Sequence, residues 1–417
     1  MNLDDFLDGA LDNWETRDSL SRIRTYARAR YTAPWAVLGA VLARVVACTD
    51  PSICLPPTIG SRASLNLFVA LVGRPGSGKD TAQAVAEELL DYPQGVDTIP
   101  LGSGEGLAHI YKRRVRSGKD LVTEQYRDRA LVTIGEIDAY AALASRQGST
   151  LAGQLRQAAM GQQLGFFYVD PDKRMMVDPH SYRMCLIAGV QPGRGGVLLG
   201  DADGGTPQRF VWLPATDPDM PDDPGPAPAP LRWKPPMYSG PVDMHLPESA
   251  RREVIDAHLG RQRGDGDALD GHALLTRCKV AAALALLEDR PGGAACRITE
   301  ADWSLSGWVM RRSDRVRQGM ADELARQAAA GDTARGRSDA RRAMAGEDVR
   351  HERQVERLVR RVLALLVEAG DEGMTVKQIR GRLPGRDRGE LAPVLDLLAA
   401  DGRVRCAPSD RGHRYSV

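Results

Sequence analysis

The chain has 417 residues, of which 42% are hydrophobic and 27% are charged, and its formal net charge at pH 7 is +1. This length accommodates more than one domain core, and the composition is that of a globular protein and excludes fibrous and fully disordered classes. The near-neutral balance excludes a global electrostatic field as the basis of nucleic-acid binding, so such binding requires local basic clusters.

The cysteine usage and the apolar runs indicate where the protein works. The six cysteines are scattered, with no C-x-x-C pair and no spacing that would hold zinc, which favours a reduced, cytoplasmic setting. The N-terminus is acidic where a signal peptide is basic, and no window approaches the ~18 apolar residues of a membrane span. The closest candidate, residues 36–46, is interrupted by Arg44 and is expected to be a buried helix. We therefore expect no membrane partner.

The hydrophobic and charge patterns divide the chain into six segments. An α/β core is predicted where strand and helix signals alternate, and proline-rich or charged stretches mark the connections around it. The segments are an N-terminal helical region (1–62), the α/β core (63–216), an acidic proline-rich linker (217–250), a helical, lid-like segment (251–330), a charged connector (331–353) and a small C-terminal domain (354–417).

The stretch LFVALVGRPGSGKDT, residues 67–81, is the most informative in the chain. A buried strand is predicted to end at Gly73 and a helix to begin at Lys79, which gives the spacing of a phosphate-binding loop. The glycines allow successive backbone N–H groups to point at one anion, and Lys79 adds a charge for the outer phosphates. An ordinary glycine-rich turn is the alternative. The residues predicted to bind ATP are Gly73, Arg74, Pro75, Gly76, Ser77, Gly78, Lys79, Asp80 and Thr81.

Three carboxylates are predicted to hold Mg²⁺ beside the loop. Asp80 stands where a Ser or Thr hydroxyl normally reaches the metal, and Glu136 and Asp138 end the buried strand ALVTIGEID. Ligands of open α/β sheets bind at the carboxyl ends of the strands, so these acids suit metal binding or orientation of the attacking water. The alternative for each acid is stabilisation of a helix N-terminus, because carboxylates favour that end of the dipole.

Two further polar residues flank predicted strands of the core. Gln191 follows the strand YRMCLIAGV and is a candidate for polarising water or the terminal phosphate, with a plain strand cap as the alternative. Arg209 precedes the strand FVWL and is a candidate for stabilising phosphoryl transfer on a neighbouring subunit, with a solvated surface charge as the alternative.

Basic clusters at two places are candidates for nucleic-acid contact. The run 112–116, with Lys119, either touches a nucleic-acid backbone or forms a solvated helix face. Three helices and a terminal hairpin over 355–417 predict a winged helix-turn-helix, although many such domains bind protein instead. The residues predicted to contact DNA in it are Arg386, Arg388, Arg403, Arg405 and Arg414.

With these residues in place, the chain resembles a family of phage and mobile-element ATPases, often joined to primase-polymerase modules and described as primase-helicase C-terminal regions. The matching stretches are SLNLFVALVGRPGSGKDT, GSGEGL, GEID, IAGVQPG, GTPQRF, and RCKVAAALALL followed by ITEADW, which cover about residues 20–315. The order of these features is similar to that of AAA+ ATPases, including replicative helicases.

The resemblance implies a P-loop core with an AAA+-like parallel sheet, N-terminal helices and a helical lid, followed by the C-terminal winged helix. It implies hydrolytic roles for Lys79 and Glu136, a sensor role for Gln191, an arginine finger at Arg209 and a second-sensor role for Arg277. Gly135 departs from the pattern, because it stands where the class has a magnesium-binding Asp.

We therefore expect an ATP-driven, Mg²⁺-dependent, DNA-associated motor of phage or mobile-element replication. The resemblance implies a homo-oligomer in the form of a ring, with a separate primase or replication initiator as a further partner. A P-loop nucleotide kinase is one alternative, because SGKDT also occurs in that class. A DNA-binding initiator or regulator that uses ATP only to assemble is another.

Overall fold

A computed structural model describes residues 13–92, 94–117, 120–170, 174–265, 270–290, 295–409 and 412–417. The chain forms two compact units, Met1–Gln327 and Ala328–Val417, which are described separately. Four of the predicted segments, from the N-terminal helices to the lid-like region, therefore lie almost entirely within the first unit. Lys119 and the first twelve residues lie outside the described residues.

The first unit alternates helices and strands. Its helices are α1 (Asp18–Ala29), α2 (Pro34–Cys48), α3 (Lys79–Leu89), α4 (Gly106–His109), α5 (Ile137–Ala144), α6 (Leu151–Met160), α7 (Gly196–Leu199), α8 (Glu248–Gln262), α9 (Asp270–Leu287) and the first part of α10 (Glu300–Ala369). Its strands are β1 (Ile53–Leu55), β2 (Ala63–Ser64), β3 (Phe68–Val72), β4 (Leu90–Asp91), β5 (Thr98–Pro100), β6 (Lys112–Ser117), β7 (Asp120–Gln125), β8 (Arg129–Ile134), β9 (Leu164–Phe166), β10 (Met175–Val177), β11 (Arg183–Val190), β12 (Phe210–Pro214), β13 (Leu231–Arg232) and β14 (Val242–Asp243).

A five-stranded sheet in the order β12-β3-β11-β8-β5 organises this unit. Every neighbouring pair is parallel, with Ile187 of β11 opposite Val69 of β3 and Thr133 of β8. Strands β3 and β11 are buried along their whole length, as expected where helices cover both faces. The prediction of an α/β fold with a parallel sheet is confirmed, and the carboxyl ends of all five strands share one edge.

Helix α2 packs directly on this sheet. A Cβ atom at Gly39 would lie 2.6 Å from Leu213 Cδ1 and 2.9 Å from Val69 Cγ1, so the absence of a side chain permits the close approach. All its residues except Trp35 are buried, which agrees with the expectation of a buried helix over 36–46. Among the described residues, no helix combines the length and the apolarity needed to cross a bilayer.

The proline-rich segment 217–250, predicted to be an extended linker, forms two short strands with other parts of the first unit. Leu231 pairs with Leu90 between β13 and β4, and Val242 pairs with Ile53 between β14 and β1. Trp233 is buried and its indole N–H donates to the carbonyl of Leu286 at 2.8 Å. Apolar side chains between the prolines therefore hold this segment against the first unit.

The basic run 112–116 lies on a strand and not on a helix. Strand β6 pairs with β7 in an antiparallel hairpin, in which Arg113 lies opposite Glu124 and forms an ion pair with it at 2.7 Å. The helix-face interpretation of this run is therefore wrong. Pairing with a strand of opposite charge overrides the local pattern, because cross-strand ion pairs stabilise the hairpin.

The second unit contains the end of α10, β15 (Met374–Thr375), α11 (Val376–Arg382), α12 (Leu391–Ala400), β16 (Arg405–Ser409) and β17 (Gly412–Ser416). Its strands form an antiparallel sheet in the order β15-β17-β16. Leu358, Ile379 and Leu395 share one buried cluster. Thr375 and Gln378 form a reciprocal capping box at the start of α11, which satisfies N–H groups that the helix leaves free.

Lys279 on α9 is a fully buried cation in the first unit. Its Nζ donates to the carbonyl oxygens of Asn66 at 3.0 Å and Ala159 at 2.5 Å. Burial lowers the pKa of Lys279 to about 7, because removal from water disfavours the charged form. A neutral amine has two N–H groups, and these match the two carbonyl acceptors.

The buried lysine predicts a pH-dependent contribution to stability. An unfolded lysine has a pKa of about 10.4, so between pH 7 and that value the unfolded state binds more protons and stability rises with pH. We therefore compare the free energies of unfolding of the wild type and of Lys279→Met. The wild-type value minus the variant value should rise by about 1.4 kcal/mol per pH unit above pH 7.5. Urea unfolding at pH 7.5 and 8.5 measures this difference. The exposed Lys234→Met is the control, and a pH-independent difference for Lys279→Met would contradict the assignment.

Candidate functional site

The loop between β3 and α3 contains two glycines in the left-handed backbone region. Gly76 and Gly78 adopt positive φ angles of 76° and 79°, which favour glycine. The N–H of Gly73 donates to the carbonyl of Val190 at 3.0 Å, and that of Ser77 donates to Arg74 at 3.2 Å. The first N–H groups of α3 have no acceptor within the helix, so they face the loop and suit an anion.

Lys79 lies folded over this loop. Its Nζ donates to the carbonyl oxygens of Gly73 at 3.1 Å and Arg74 at 3.0 Å. The Ser77 hydroxyl is buried and has no hydrogen-bond partner among the described residues. The lysine and the hydroxyl are therefore both available to an oxyanion in the loop.

The acidic strand ends beside the lysine. A Cβ atom at Gly189 of β11 would lie 2.4 Å from the carbonyl oxygen of Gly135 and 3.5 Å from Lys79 Cε, so the three residues meet at the carboxyl edge of the sheet. Glu136 follows Gly135 directly, is exposed and precedes the first residue of α5. Its position suits either of the roles considered for it, water orientation or the helix N-terminus.

The three predicted metal ligands do not form a cluster. Asp138 pairs with Arg194 at 2.9 Å, and Asp80 accepts from the side chain of Gln83 at 3.4 Å. In the described part of the chain, no group of three or more His, Cys, Asp or Glu side chains is placed to hold a metal. Mg²⁺ bound to a nucleotide needs only one or two protein carboxylates, because phosphates and water supply the remaining ligands. The assignment of Asp80, Glu136 and Asp138 to magnesium stays a prediction.

Gln191 lies on a cavity of about 560 Å³ next to the loop. Gln191 directly follows β11. This strand lies between β3, which precedes the loop, and β8, which precedes Glu136. The same cavity is lined by Arg74 and Pro75 of the loop and by Arg194. Gln191 is therefore close to the loop residues that are predicted to bind ATP.

The opposite wall of this cavity was not identified from the sequence. It is formed by α10, whose residues Met320, Glu323 and Arg326 line it. Arg326 pairs with Glu323 at 2.8 Å. These residues lie about 250 positions after the loop in the chain, and no motif connects the two. Arg277 pairs with Glu253 at 2.6 Å and stacks on Trp303, and its second-sensor role stays a prediction.

Arg209 lies at the amino end of β12, whereas the loop lies at the carboxyl end of the adjacent strand. Its guanidinium donates to the carbonyl of Gly204 at 2.7 Å and contacts His272 Nε2 at 2.9 Å. Burial, with the nearby arginines, lowers the pKa of His272 to about 4, so a neutral ring accepts this hydrogen bond. Arg209 is therefore half-buried and engaged within its own subunit, and its action on a neighbour stays a prediction.

The five predicted DNA-contacting arginines differ in their surroundings. Arg414 donates to the carbonyls of Glu372 and Gly373, and Arg388 donates to Leu383 at 3.1 Å, so both stabilise turns of the second unit. Arg388 is nevertheless exposed, as are the three others, Arg386, Arg403 and Arg405. Helix α12, the predicted recognition helix, contains no Lys or Arg, and its exposed residues are Ala392, Pro393, Asp396, Leu397 and Ala400.

Two comparisons with known proteins add no family assignment. No protein-family model matches the sequence, and no curated protein is significantly similar to it. The geometry described above therefore carries the functional argument.

The tight packing of the loop predicts that Gly73 and Gly135 respond differently to a single methyl group. A Cβ atom at Gly73 would lie 2.2 Å from Ser77 Oγ, 2.9 Å from Ser77 Cβ and 3.1 Å from Ala215 Cβ. Gly73→Ala must therefore displace the loop, and we expect affinity for a fluorescent ATP analogue to fall by about tenfold or more.

Gly135→Ala is the matched control, because no heavy atom lies within 4 Å of a Cβ atom at this neighbouring position. Its affinity for the analogue should stay near that of the wild type. Equal affinity of the Gly73→Ala variant and the wild type would show that the loop does not bind the phosphates.

Proposed function

We propose that the protein is an ATP-hydrolysing, DNA-associated motor that acts as an oligomer, as in phage or mobile-element replication. The observation that carries the proposal is the loop at the carboxyl edge of the sheet, with glycines at positive φ and Lys79 folded over it. Backbone N–H groups at a helix N-terminus and a lysine are the recurring means of holding nucleoside triphosphates.

Hydrolysis requires polar groups beside the terminal phosphate. Glu136 follows Gly135, whose carbonyl oxygen packs against Gly189 beside Lys79, and Gln191 lines the cavity beside the loop. A carboxylate and an amide at these positions suit orientation of water and recognition of the terminal phosphate. Asp80 and Glu136 are the residues proposed to hold Mg²⁺, which would neutralise charge on the phosphates.

Exposed cations support contact with nucleic acid. In the second unit, Lys377 and Arg380 are exposed on α11, and Arg403 and Arg405 are exposed at and before β16. Because α12 has no cation, these residues suit contacts with the phosphate backbone more than hydrogen bonds to bases. The proposal is therefore for DNA binding with little sequence preference, in a winged-helix arrangement.

An ATP-dependent initiator or regulator without motor activity is the second candidate. The observation that favours it is the engagement of Arg209 with Gly204 and His272, since a finger that acts in trans must be free to reach a neighbour. A nucleotide kinase is the remaining alternative from the loop sequence.

Steady-state ATP turnover distinguishes these candidates. A motor should hydrolyse ATP faster when single-stranded or duplex DNA is added, a kinase should respond to an acceptor nucleotide, and a regulator should respond to neither. We expect stimulation by DNA that weakens as salt rises, because phosphate contacts release counterions. Failure of DNA to stimulate turnover, in the presence of measurable DNA binding, would contradict the motor.

Two variants control this experiment. Lys79→Ala should abolish turnover and leave DNA binding in place, which shows that the measured activity belongs to the loop. Arg403→Gln combined with Arg405→Gln should weaken DNA binding, lower the salt dependence and leave basal turnover unchanged. Unchanged DNA binding in the second variant would place the contact elsewhere.

Two departures from the usual sequence pattern, one in the loop and one after the acidic strand, suggest that one carboxylate has replaced another. The hydroxyl after the lysine is replaced by Asp80, and the acidic strand has Gly135 in place of a carboxylate. If the acid has moved between positions that approach one Mg²⁺, Asp80→Ser should abolish Mg²⁺-dependent hydrolysis, and Asp80→Ser with Gly135→Asp should restore a measurable part of it. The space around Gly135 admits the new side chain, since a Cβ atom there has no heavy atom within 4 Å.

The control for this pair is Gln83→Ala, which removes the side-chain partner of Asp80 and leaves the carboxylate. Its hydrolysis should stay close to that of the wild type. Full activity of Asp80→Ser alone, or no gain in the double variant, would exclude the compensation.

A further inference from the structure

A second cavity, of about 300 Å³, lies at the opposite end of the sheet from the phosphate loop. Its wall includes Ala63, shortly before β3, and His180, shortly before β11, which are the amino ends of the two central strands. Helices α8 and α9 close the other side through Val254 and Leu274. The volume is at the lower end of the range for small-molecule sites, which is about 300–1,000 Å³.

The ionisable side chains that line this cavity are arginines and histidines. Arg62, His180, His258 and Arg261 line it, and no Asp or Glu is among the described residues that do so. Burial, together with Arg62 and Arg183, lowers the pKa of His180, because further positive charge is unfavourable there. Asp243 already pairs with Arg62, and a bound anion would add a negative partner for the remaining positive and titratable groups.

The polar groups are held in place by the surrounding fold. Arg62 donates to the carbonyls of Ser52 at 3.0 Å and Val242 at 3.2 Å and pairs with Asp243 at 2.8 Å, while its Nε is buried without a hydrogen-bond partner among the described residues. His180 adopts a positive φ of 57°, uncommon for a residue other than glycine, and its N–H donates to the carbonyl of Gly161 at 3.0 Å. The cavity is therefore preformed, which lowers the cost of binding.

The remaining lining is apolar. Leu246, Val254, Leu274 and Leu275 line the same cavity as the cations. A purely hydrated ion such as inorganic phosphate would leave this surface uncovered, whereas a ligand with an apolar body would bury it at about 25 cal/mol per Å². An apolar wall with a few convergent polar groups is the usual composition of a small-molecule site.

We propose that this cavity binds a small amphiphilic anion, with its carboxylate or phosphate toward Arg62, Arg261 and the histidines and its apolar body against the leucines. The site is separate from the phosphate loop and does not depend on ATP binding. A carboxylate and a phosphate monoester present the same chemistry to the arginines, so the experiment includes both.

The test uses the full chain and the fluorescent apolar anion 8-anilinonaphthalene-1-sulfonate, with a saturating non-hydrolysable ATP analogue present to fill the loop. Saturable binding at one site per chain is expected, and octanoate or phenyl phosphate should displace the probe. The more effective of the two identifies the head group that the cavity prefers. The concentration of inorganic phosphate needed to displace the probe should be at least about tenfold higher than that of phenyl phosphate, because inorganic phosphate lacks the apolar body.

Two variants locate the binding. Arg261→Gln removes a charge-assisted contact and should lower the affinity for the probe by about tenfold or more. Leu274→Trp should abolish binding of the probe, because the larger side chain fills the cavity. Arg252→Gln, on the exposed side of the same helix as Arg261, is the matched control and should bind as the wild type does. Thermal unfolding establishes that each variant folds.

Absence of saturable binding to the wild type would overturn the proposal. Equal binding to wild type, folded Arg261→Gln and folded Leu274→Trp would also overturn it, as would displacement of the probe by the ATP analogue. If Leu274→Trp does not fold, the comparison of Arg261→Gln with Arg252→Gln decides.

Discussion

The amino end of the central sheet depends on a buried arginine that has no carboxylate partner among the residues that the structure describes. Arg183, the first residue of β11, is fully buried and donates to the carbonyls of Asp50 at 2.8 Å and Ile53 at 2.7 Å and to Ser64 Oγ at 3.0 Å. Burial lowers its pKa, although a guanidinium remains protonated at neutral pH. Because an unpaired buried charge is costly, the carbonyl oxygens must stay in place. Arg183 thereby ties the chain after α2, β1 and β2 to the strand that carries Gln191.

The two anion sites proposed at opposite ends of the same strands would use different physical means. At the carboxyl end the positive groups are backbone N–H donors and Lys79, which lies over the loop. At the amino end they are side chains, with Arg183 buried and Arg62 beside a cavity. The backbone site requires glycine at defined positions, whereas the side-chain site requires hydrogen-bonded support for each cation. This difference explains why only the first is visible as a sequence motif.

The sequence predicts local features well and distant packing poorly. The buried strands around Val69 and Ile187 and the loop follow from short patterns in which neighbouring residues determine the backbone. Arg326 on the wall beside the loop and the partnership of Arg209 with His272 arise from packing between residues far apart in the chain. No local pattern encodes such contacts. The local prolines predict an extended linker over 217–250, whereas the hydrogen bond of Trp233 to Leu286 joins residues far apart in the chain.

The composition of the second unit bears on the choice between the two DNA-associated functions. A regulator that recognises a sequence needs side chains that donate to base edges, and arginine and lysine are the commonest. Helix α12 exposes Pro393, Asp396 and Leu397 instead, and Arg414 is used to hold the hairpin. The exposed cations that remain suit phosphate contacts, which position a protein on DNA without reading its sequence. This arrangement fits a motor, which must bind every sequence along its track, better than a sequence-specific initiator.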